Sequence, residues 1–385
     1  MKKIGIITCL DLNNVNYGNR LQAFALNRYL CNEYGDDQVE TVLFDRIRDY
    51  KKTRKQSLPE RIVKKIRREL LKLKGQKGLS PLVNGRLEAC NDFTRSTTKL
   101  TDQPVATMDA LKKLSYETMI TGSDVVWYQW KGEIRRTRFL DFETDNGFRK
   151  VAYAASLGRN WIPEENRSEV VRCLKDFDRI SVRENSTVAY LEQLGIENVQ
   201  NTVDSTLLLT KEEWEALEKR PAQVEETDQY IFVYLLGGDK KDRETIGTLA
   251  VESGLKIVSV PLASGNLKNE DREFGDIRVM DCSPQEWIWL IHHAQYVITD
   301  SFHGMVFSTI FGTKFLLTRR KEKYDINQRL QDYIELIGQQ DKYVRLDSID
   351  SLETLSWDFD SMHRRIDIKA AKSRAFLREA IGEPV

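Results

Sequence analysis

Tyr296-Val297-Ile298-Thr299-Asp300-Ser301-Phe302-His303-Gly304 is the stretch that decides how this chain is read. Its first four residues are aromatic or β-branched and form a buried strand, and the polar cluster after them interrupts it. A helical pattern begins within two or three residues of Asp300. The free N–H groups and dipole at such a helix start favour an anion, phosphate above all. His303 stands at that start, and an imidazole there can carry a proton to or from a bound group near neutral pH. Gly304 lets the backbone approach a ligand closely. Ser301, His303 and Gly304 are therefore candidate site residues.

Working outward, the same unit of apolar run, polar loop and helical pattern recurs. Residues 4–10 lead through the loop 13–18 into helical spacing over 21–30. Strand candidates follow at 41–44, 116–121, 150–155, 180–182 and 199–203. After a charged stretch the pattern restarts at 230–236, 256–261, 296–299 and 314–317, with an amphipathic helix at 284–290 and a last helix from about 365 to 381. Alternating strands and helices argue for parallel, doubly wound sheets with ligands at the carboxyl ends of the strands. The expected fold is α/β, with two Rossmann-like domains whose parallel sheets face each other across a cleft, a glycosyltransferase-B-like arrangement. The first domain spans 1–210 with a basic helical insertion over about 46–100. A charged connection covers 211–228, and the second domain covers 229–385.

At 385 residues the chain can build two cores. Its 59 acids and 59 bases cancel, which gives no reason to expect nucleic acid as a partner. The five cysteines are scattered without metal-ligand spacing and read as reduced, buried thiols of a cytosolic protein. The first apolar run is too short for a signal peptide, and no stretch approaches the roughly 20 apolar residues that span a bilayer. Ser57-Leu58-Pro59-Glu60 is a capping box that opens a basic helix over 57–77, with Ile62, Ile66, Leu70 and Leu73 on one face. That helix is either solvated and docked on its domain, or a surface for anionic lipid or a lipid-linked acceptor.

Other strand ends carry polar residues. Arg183 and Glu184 follow the strand at 180–182, and a guanidinium suits a carboxylate or phosphate, although a structural Arg–Glu pair has the same sequence. Asn16, Tyr17 and Gly18, then Gly122, Ser123 and Asp124, then Ser156 lie in loops able to hydrogen-bond a sugar or phosphate; tight-turn packing explains any one of them equally well. Asp176-Phe177-Asp178 matches a metal-binding pattern that is common by chance, and no metal is expected. His292-His293 reads as structural. Gly-x-Gly-x-x-Gly, Cys-x-x-Cys, His-Glu-x-x-His and Gly-x-Ser-x-Gly do not occur, so dinucleotide, metal and serine-hydrolase chemistry lack support.

Taken in order, several segments resemble the polysaccharide pyruvyl transferase family from Gly5 to about Arg329. They are Asn16-Tyr17-Gly18 with Leu21-Gln22-Ala23, Thr121-Gly122-Ser123-Asp124 with Trp127, Tyr153-Ala154-Ala155-Ser156, Ser181-Val182-Arg183-Glu184, Asp204 with Leu207-Leu208 and Trp214, and Thr299-Asp300-Ser301-Phe302-His303-Gly304. The resemblance implies phosphoenolpyruvate as donor, no separate cofactor, and a saccharide acceptor, lipid-linked or free. The product is a pyruvate ketal in polysaccharide biosynthesis for a bacterial cell envelope. The implied location is cytoplasmic, with peripheral contact at the inner membrane face through the basic helix. The family's histidine falls on His303 and its strand-end arginine on Arg183, the two residues expected to be catalytic. Where the family often has Asp-Pro-Thr, this chain has Asp204-Ser205-Thr206. A further basic residue is expected among Arg319, Arg320, Lys321, Lys323 and Arg329, and Asn327 with Arg329 best matches the family's Asn-x-Arg. Two other readings share the fold: a nucleotide-sugar-dependent glycosyltransferase, and a catalytically silent carbohydrate-binding homologue.

Overall fold

A computed structural model describes residues 3–44, 50–52, 81–129, 133–261, 269–319 and 327–382. The first half of the chain contributes β1 (Ile4–Ile7), β2 (Val39–Thr41), β3 (Tyr50–Lys52), β4 (Thr118–Asp124), β5 (Glu133–Arg135), β6 (Arg149–Ala155), β7 (Arg179–Val182) and β8 (Gln200–Asn201). Six of these form a parallel sheet in the order β2-β1-β4-β6-β7-β8, while β3 and β5 pair antiparallel. The second half contributes β9 (Tyr230–Tyr234), β10 (Lys256–Ser259), β11 (Ile277–Arg278), β12 (Tyr296–Thr299), β13 (Phe315–Thr318) and β14 (Tyr343–Val344). They form a second parallel sheet in the order β11-β10-β9-β12-β13-β14. Every residue of β1, β4, β9, β12 and β13 is buried, as strands covered by helices on both faces must be.

The two-residue strands β11 and β14 have no counterpart in the sequence reading, because two residues carry no measurable period. Residues 39–41 form β2 rather than 41–44; beyond it Phe44 makes only an isolated bridge to Val105. The basic helix expected over 57–77 lies outside the described residues. No described helix is long and apolar enough to cross a membrane. All five cysteines are buried, and none forms a disulfide.

The helices that position the site are α1 (Tyr17–Tyr34), α2 (Pro81–Thr97), α3 (Asn185–Gln193), α4 (Lys211–Glu215), α5 (Lys240–Ser253), α6 (Pro284–His292), α7 (Phe302–Phe311), α8 (Gln328–Leu336) and α9 (Phe359–Ile381). The charged connection is anchored. Thr210 and Glu213 cap α4 reciprocally, and Trp214 is fully buried with its Nε1 donating to the Thr206 carbonyl at 3.1 Å.

Each half has an apolar cluster of its own, and the two also share a core. One contiguous apolar cluster runs from Ile4, Tyr17 and Phe24 to Trp287, Phe307 and Phe315. Tyr17 stacks on Trp287 with centroids 5.4 Å apart, and Trp214 meets Phe24 at 5.5 Å and Phe307 at 4.8 Å. Such aromatic pairs add about 0.5–1.5 kcal/mol each beyond burial, so they hold the sheets in one relation. The last helix, counted with the second domain from sequence, returns to the first sheet. In α9, Ser373 Oγ accepts from Val203 N at 3.0 Å and Phe376 packs on Tyr153; the carbonyl of Ala380 accepts from Arg149.

Candidate active site between the sheets

The carboxyl ends of β4, β6 and β7 stand in register: Asp124 is opposite Ala155, and Ala155 opposite Val182. Arg183, one residue beyond, donates its backbone N–H to Ala155 O at 3.2 Å. Its side chain runs into a ring of carboxylates. Nε donates to Glu184 Oε1 at 2.9 Å, and Nη1 donates to Asp204 Oδ2 at 2.8 Å and to Asp124 Oδ1 at 3.4 Å. The guanidinium carbon lies 4.1 Å from the centroid of Phe302, a cation–π contact across the two halves. Nη2 is buried with no hydrogen-bond partner among the described residues.

Burial works against charge on Arg183, but Glu184, Asp204 and Asp124 outweigh it and hold the guanidinium protonated, its pKa raised further. Burial likewise opposes ionisation of Asp204, yet His303 and Arg183 keep its carboxyl well below the usual carboxylate range. For Asp124 the same opposition is overcome by Arg183, His303 and Arg329. Asp124 and Asp204 are therefore held as carboxylates against Arg183. Two of the three guanidinium nitrogens are committed to protein carboxylates, and only Nη2 remains to meet an anionic donor.

His303 is supplied from the second sheet. Ser301 caps α7 by accepting from Gly304 N at 3.3 Å, which orients the helix start. His303 Nε2 then lies 3.7 Å from Asp204 Oδ2, within ion-pair range but too far for a hydrogen bond, and it too has no hydrogen-bond partner among the described residues. The other face of the ring rests on the start of α1. A Cβ at Gly18 would fall 2.7 Å from His303 Cγ and Cε1 and closer still to Nδ1, so only glycine fits there. Asn16 caps α1 by accepting from Asn19 N, and Asn19 Nδ2 donates to Asp124 Oδ2 at 2.5 Å. Two helix starts, each at the carboxyl end of a strand, thus meet at Gly18 and His303. A cavity of about 340 Å³ opens between the halves, lined by Arg183, Glu184, Asp204, Phe302, Arg329 and Lys369 among others; His303 reaches it only through its neighbours Phe302 and Asp204.

The loop after β9 is filled from within. Asp300 accepts from the backbone N–H groups of Leu236 and Gly237, both at 2.6 Å, and Asp239 and Asp242 cap the start of α5 reciprocally. Carboxylates thus occupy the amides and helix start that a phosphate would otherwise use.

A model of the family described as polysaccharide pyruvyl transferase matches residues 16–322. This chain belongs to that family. Among solved structures, UDP-GlcNAc 2-epimerase from Methanocaldococcus jannaschii in complex with UDP-GlcNAc and UDP is 13% identical, with a TM-score of 0.50 over 96% of this chain and 99% of that one. UDP-N-acetylglucosamine 2-epimerase from Rickettsia bellii is 9% identical, with a TM-score of 0.50 over 99% and 97%. These similarities establish the shared two-sheet fold. No curated protein matches the chain.

For this member of the polysaccharide pyruvyl transferase family, the structure gathers Gly18, Asp124, Arg183, Glu184, Ser301, His303 and Gly304 in one place. Other candidates have structural tasks. Tyr17 is buried, and its hydroxyl donates to Cys282 O at 2.8 Å. Ser123 shares hydrogen bonds with Gln22 and Ser205 inside the first half, and Ser156 Oγ accepts from Gly158 N. Gly122 adopts φ +124° against the Tyr153 carbonyl. Asn327 is buried ahead of α8, and Arg329, on its first turn, lines the cavity. Arg320 lies outside the described residues.

Asp204 is the principal residue that the sequence search for site residues passed over. Its signal was an Asp followed two residues later by Thr: Asp204 Oδ1 accepts from Thr206 N and Thr206 Oγ1, which leaves Oδ2 for Arg183 and His303. Asp176 and Asp178 sit at the opposite end of the sheet, tied to Lys150. His292 and His293, expected to be structural, both contact Glu218, at 2.8 and 3.3 Å. Among the described residues that trio and Asp141, Glu169 and Cys173 could gather round a cation, and neither group touches the Arg183 ring.

Proposed function

We propose that this protein transfers a pyruvyl group from phosphoenolpyruvate to a saccharide and forms a pyruvate ketal. The observation that carries the reading is the pair of buried groups without hydrogen-bond partners, His303 Nε2 and Arg183 Nη2, brought together at Asp204 in a chain of this family. A proton-transfer group and a cation donor are what the chemistry needs. His303 delivers a proton to the methylene carbon of the donor, which leaves the central carbon electrophilic. A sugar hydroxyl bonds to that carbon and loses its proton. Phosphate departs with the carbon–oxygen electron pair, and a second hydroxyl closes the ketal. One hydroxyl proton balances the new methyl hydrogen, and the other leaves with the phosphate.

Asp204 faces the imidazole and sets its position. Because Nε and Nη1 of Arg183 are bonded to Glu184, Asp204 and Asp124, the donor's phosphate and carboxylate draw on Arg329 and the first-turn N–H groups of α7 as well as Nη2. The internal capping of the β9 loop by Asp300 favours this reading over a nucleotide-sugar donor, whose diphosphate would compete with that carboxylate. The test is phosphate release from phosphoenolpyruvate over a panel of sugar acceptors. Wild-type release that His303→Ala abolishes supports the proposal. Absence of release with every acceptor, together with thermal stabilisation by UDP or GDP sugars, would overturn it.

A further inference from the structure

Among the described tryptophans only Trp161 is exposed, with 50% of its surface in solvent. It sits in the loop after β6, at the same sheet edge as Asp124 and Arg183 and between the strands that carry them. Its ring is held from one side. The Arg159 guanidinium carbon lies 4.0 Å from the Trp161 centroid and 4.8 Å from that of the buried Tyr128, and Arg159 Nη2 donates to Gln129 Oε1 at 3.4 Å. Gly158 makes the stack possible, since a Cβ there would lie 2.7 Å from Tyr128 Cδ2. Gly158, Arg159 and Tyr128 thus pack a half-buried cation against one flat ring that faces solvent.

We infer that the Tyr128–Arg159–Trp161 stack is a saccharide platform that binds a sugar unit of the acceptor away from the one that reacts; this rests on the acceptor being a saccharide, as proposed above. A sugar ring has an apolar C–H face that stacks on indole and hydroxyls that hydrogen-bond a neighbouring guanidinium. Along the chain the exposed residues flanking Trp161 are the polar Asn160, Glu164 and Glu165, while Ile162 is buried, so the segment does not expose the contiguous apolar patch that a protein partner requires. Trp161 is five positions beyond Ser156, whose amide is bonded to the Asp124 carbonyl, so its Cα is at most about 18 Å from the catalytic edge along the chain. The acceptor is therefore an oligosaccharide or polymer, gripped at Trp161 and modified near His303.

The test measures binding without donor, by calorimetry on the full chain. The probes are mono- to tetrasaccharides of glucose, galactose, mannose and N-acetylglucosamine. Trp161→Ala is expected to weaken the best tetrasaccharide about tenfold and Trp161→Phe less than about threefold, with monosaccharide binding unchanged. Because Trp161 is half exposed, both variants keep the fold, which circular dichroism checks. In the transfer reaction Trp161→Ala raises the acceptor KM and leaves kcat alone. Equal binding by wild type and Trp161→Ala overturns the platform, as does a wild type that binds no saccharide in the panel. Saccharide binding through Trp161 without phosphate release from phosphoenolpyruvate supports the platform and counts against pyruvyl transfer.

Discussion

Gly18→Ala tests the contact on which the site's geometry turns. The added methyl falls on the face of a buried imidazole, 2.7 Å from Cγ and Cε1, and the ring cannot retreat freely because Phe302 stands edge-on to it, with centroids 5.2 Å apart. Overpacking of this kind costs about 1–3 kcal/mol. Replacing a helical glycine by alanine returns up to about 1 kcal/mol, so the single variant shows a net loss of about 0–2 kcal/mol. Propensity cancels in a double-mutant cycle with His303→Ala. In that background the methyl enters space left by the ring, and Gly18→Ala is neutral or stabilising. The expected coupling is about 1–3 kcal/mol, read from urea unfolding of the four proteins. A coupling below about 0.5 kcal/mol would refute the close approach of α1 to His303. The same ring displacement, on the order of 1 Å, should lower pyruvyl transfer about 100-fold while leaving acceptor binding unchanged.

Further predictions follow from the buried carboxylates and the donor. Asp204→Asn removes one partner of a buried ion pair and should destabilise the protein by about 3–5 kcal/mol at neutral pH. Because the Asp204 carboxyl is held below its ordinary value near 4, its contacts add stability above that pH and lose it as the pH falls further; acid unfolding of the variant should be correspondingly less steep than that of wild type. Asp300→Ala strands the amides of Leu236 and Gly237 and should cost about 2–6 kcal/mol by chemical denaturation, whereas Asp300→Asn, which keeps an acceptor for one amide, should cost about half. Phosphoenolpyruvate at about 100 times its Kd should stabilise wild type by about 2.7 kcal/mol in a thermal-shift assay, and Arg329→Ala should reduce that gain more than Arg319→Ala does.

Much of the fold was legible because its signals are local. Apolar runs such as 230–236 and 296–299 and the polar loops after them announce parallel strands within a window of a few residues. The cap at Ser301 and the helical spacing after it place His303 at a helix start without reference to the rest of the chain. Ser181-Val182-Arg183-Glu184 marked a strand end in the same way. Periodicity failed where elements were too short to show it, as in β11 and β14. It also says nothing about which sheet a helix serves: α9 looks like any amphipathic helix, and only Val203, Arg149 and Tyr153 reveal that it returns to the first sheet.

By itself, then, the sequence determined the α/β class, the repeating strand–loop–helix unit, and His303 and Arg183 as strand-end polar residues. The tertiary structure alone decided what those residues face. Arg183 is surrounded by Asp124, Glu184 and Asp204, drawn from three separate strand ends, so its charge is largely spent within the protein. His303 is wedged between Gly18 and Asp204, and the amides near Gly237 are closed by Asp300. The physical reason is that periodicity and caps follow from neighbours along the chain. Electrostatic partners and close approaches instead depend on how two sheets pack over one shared core.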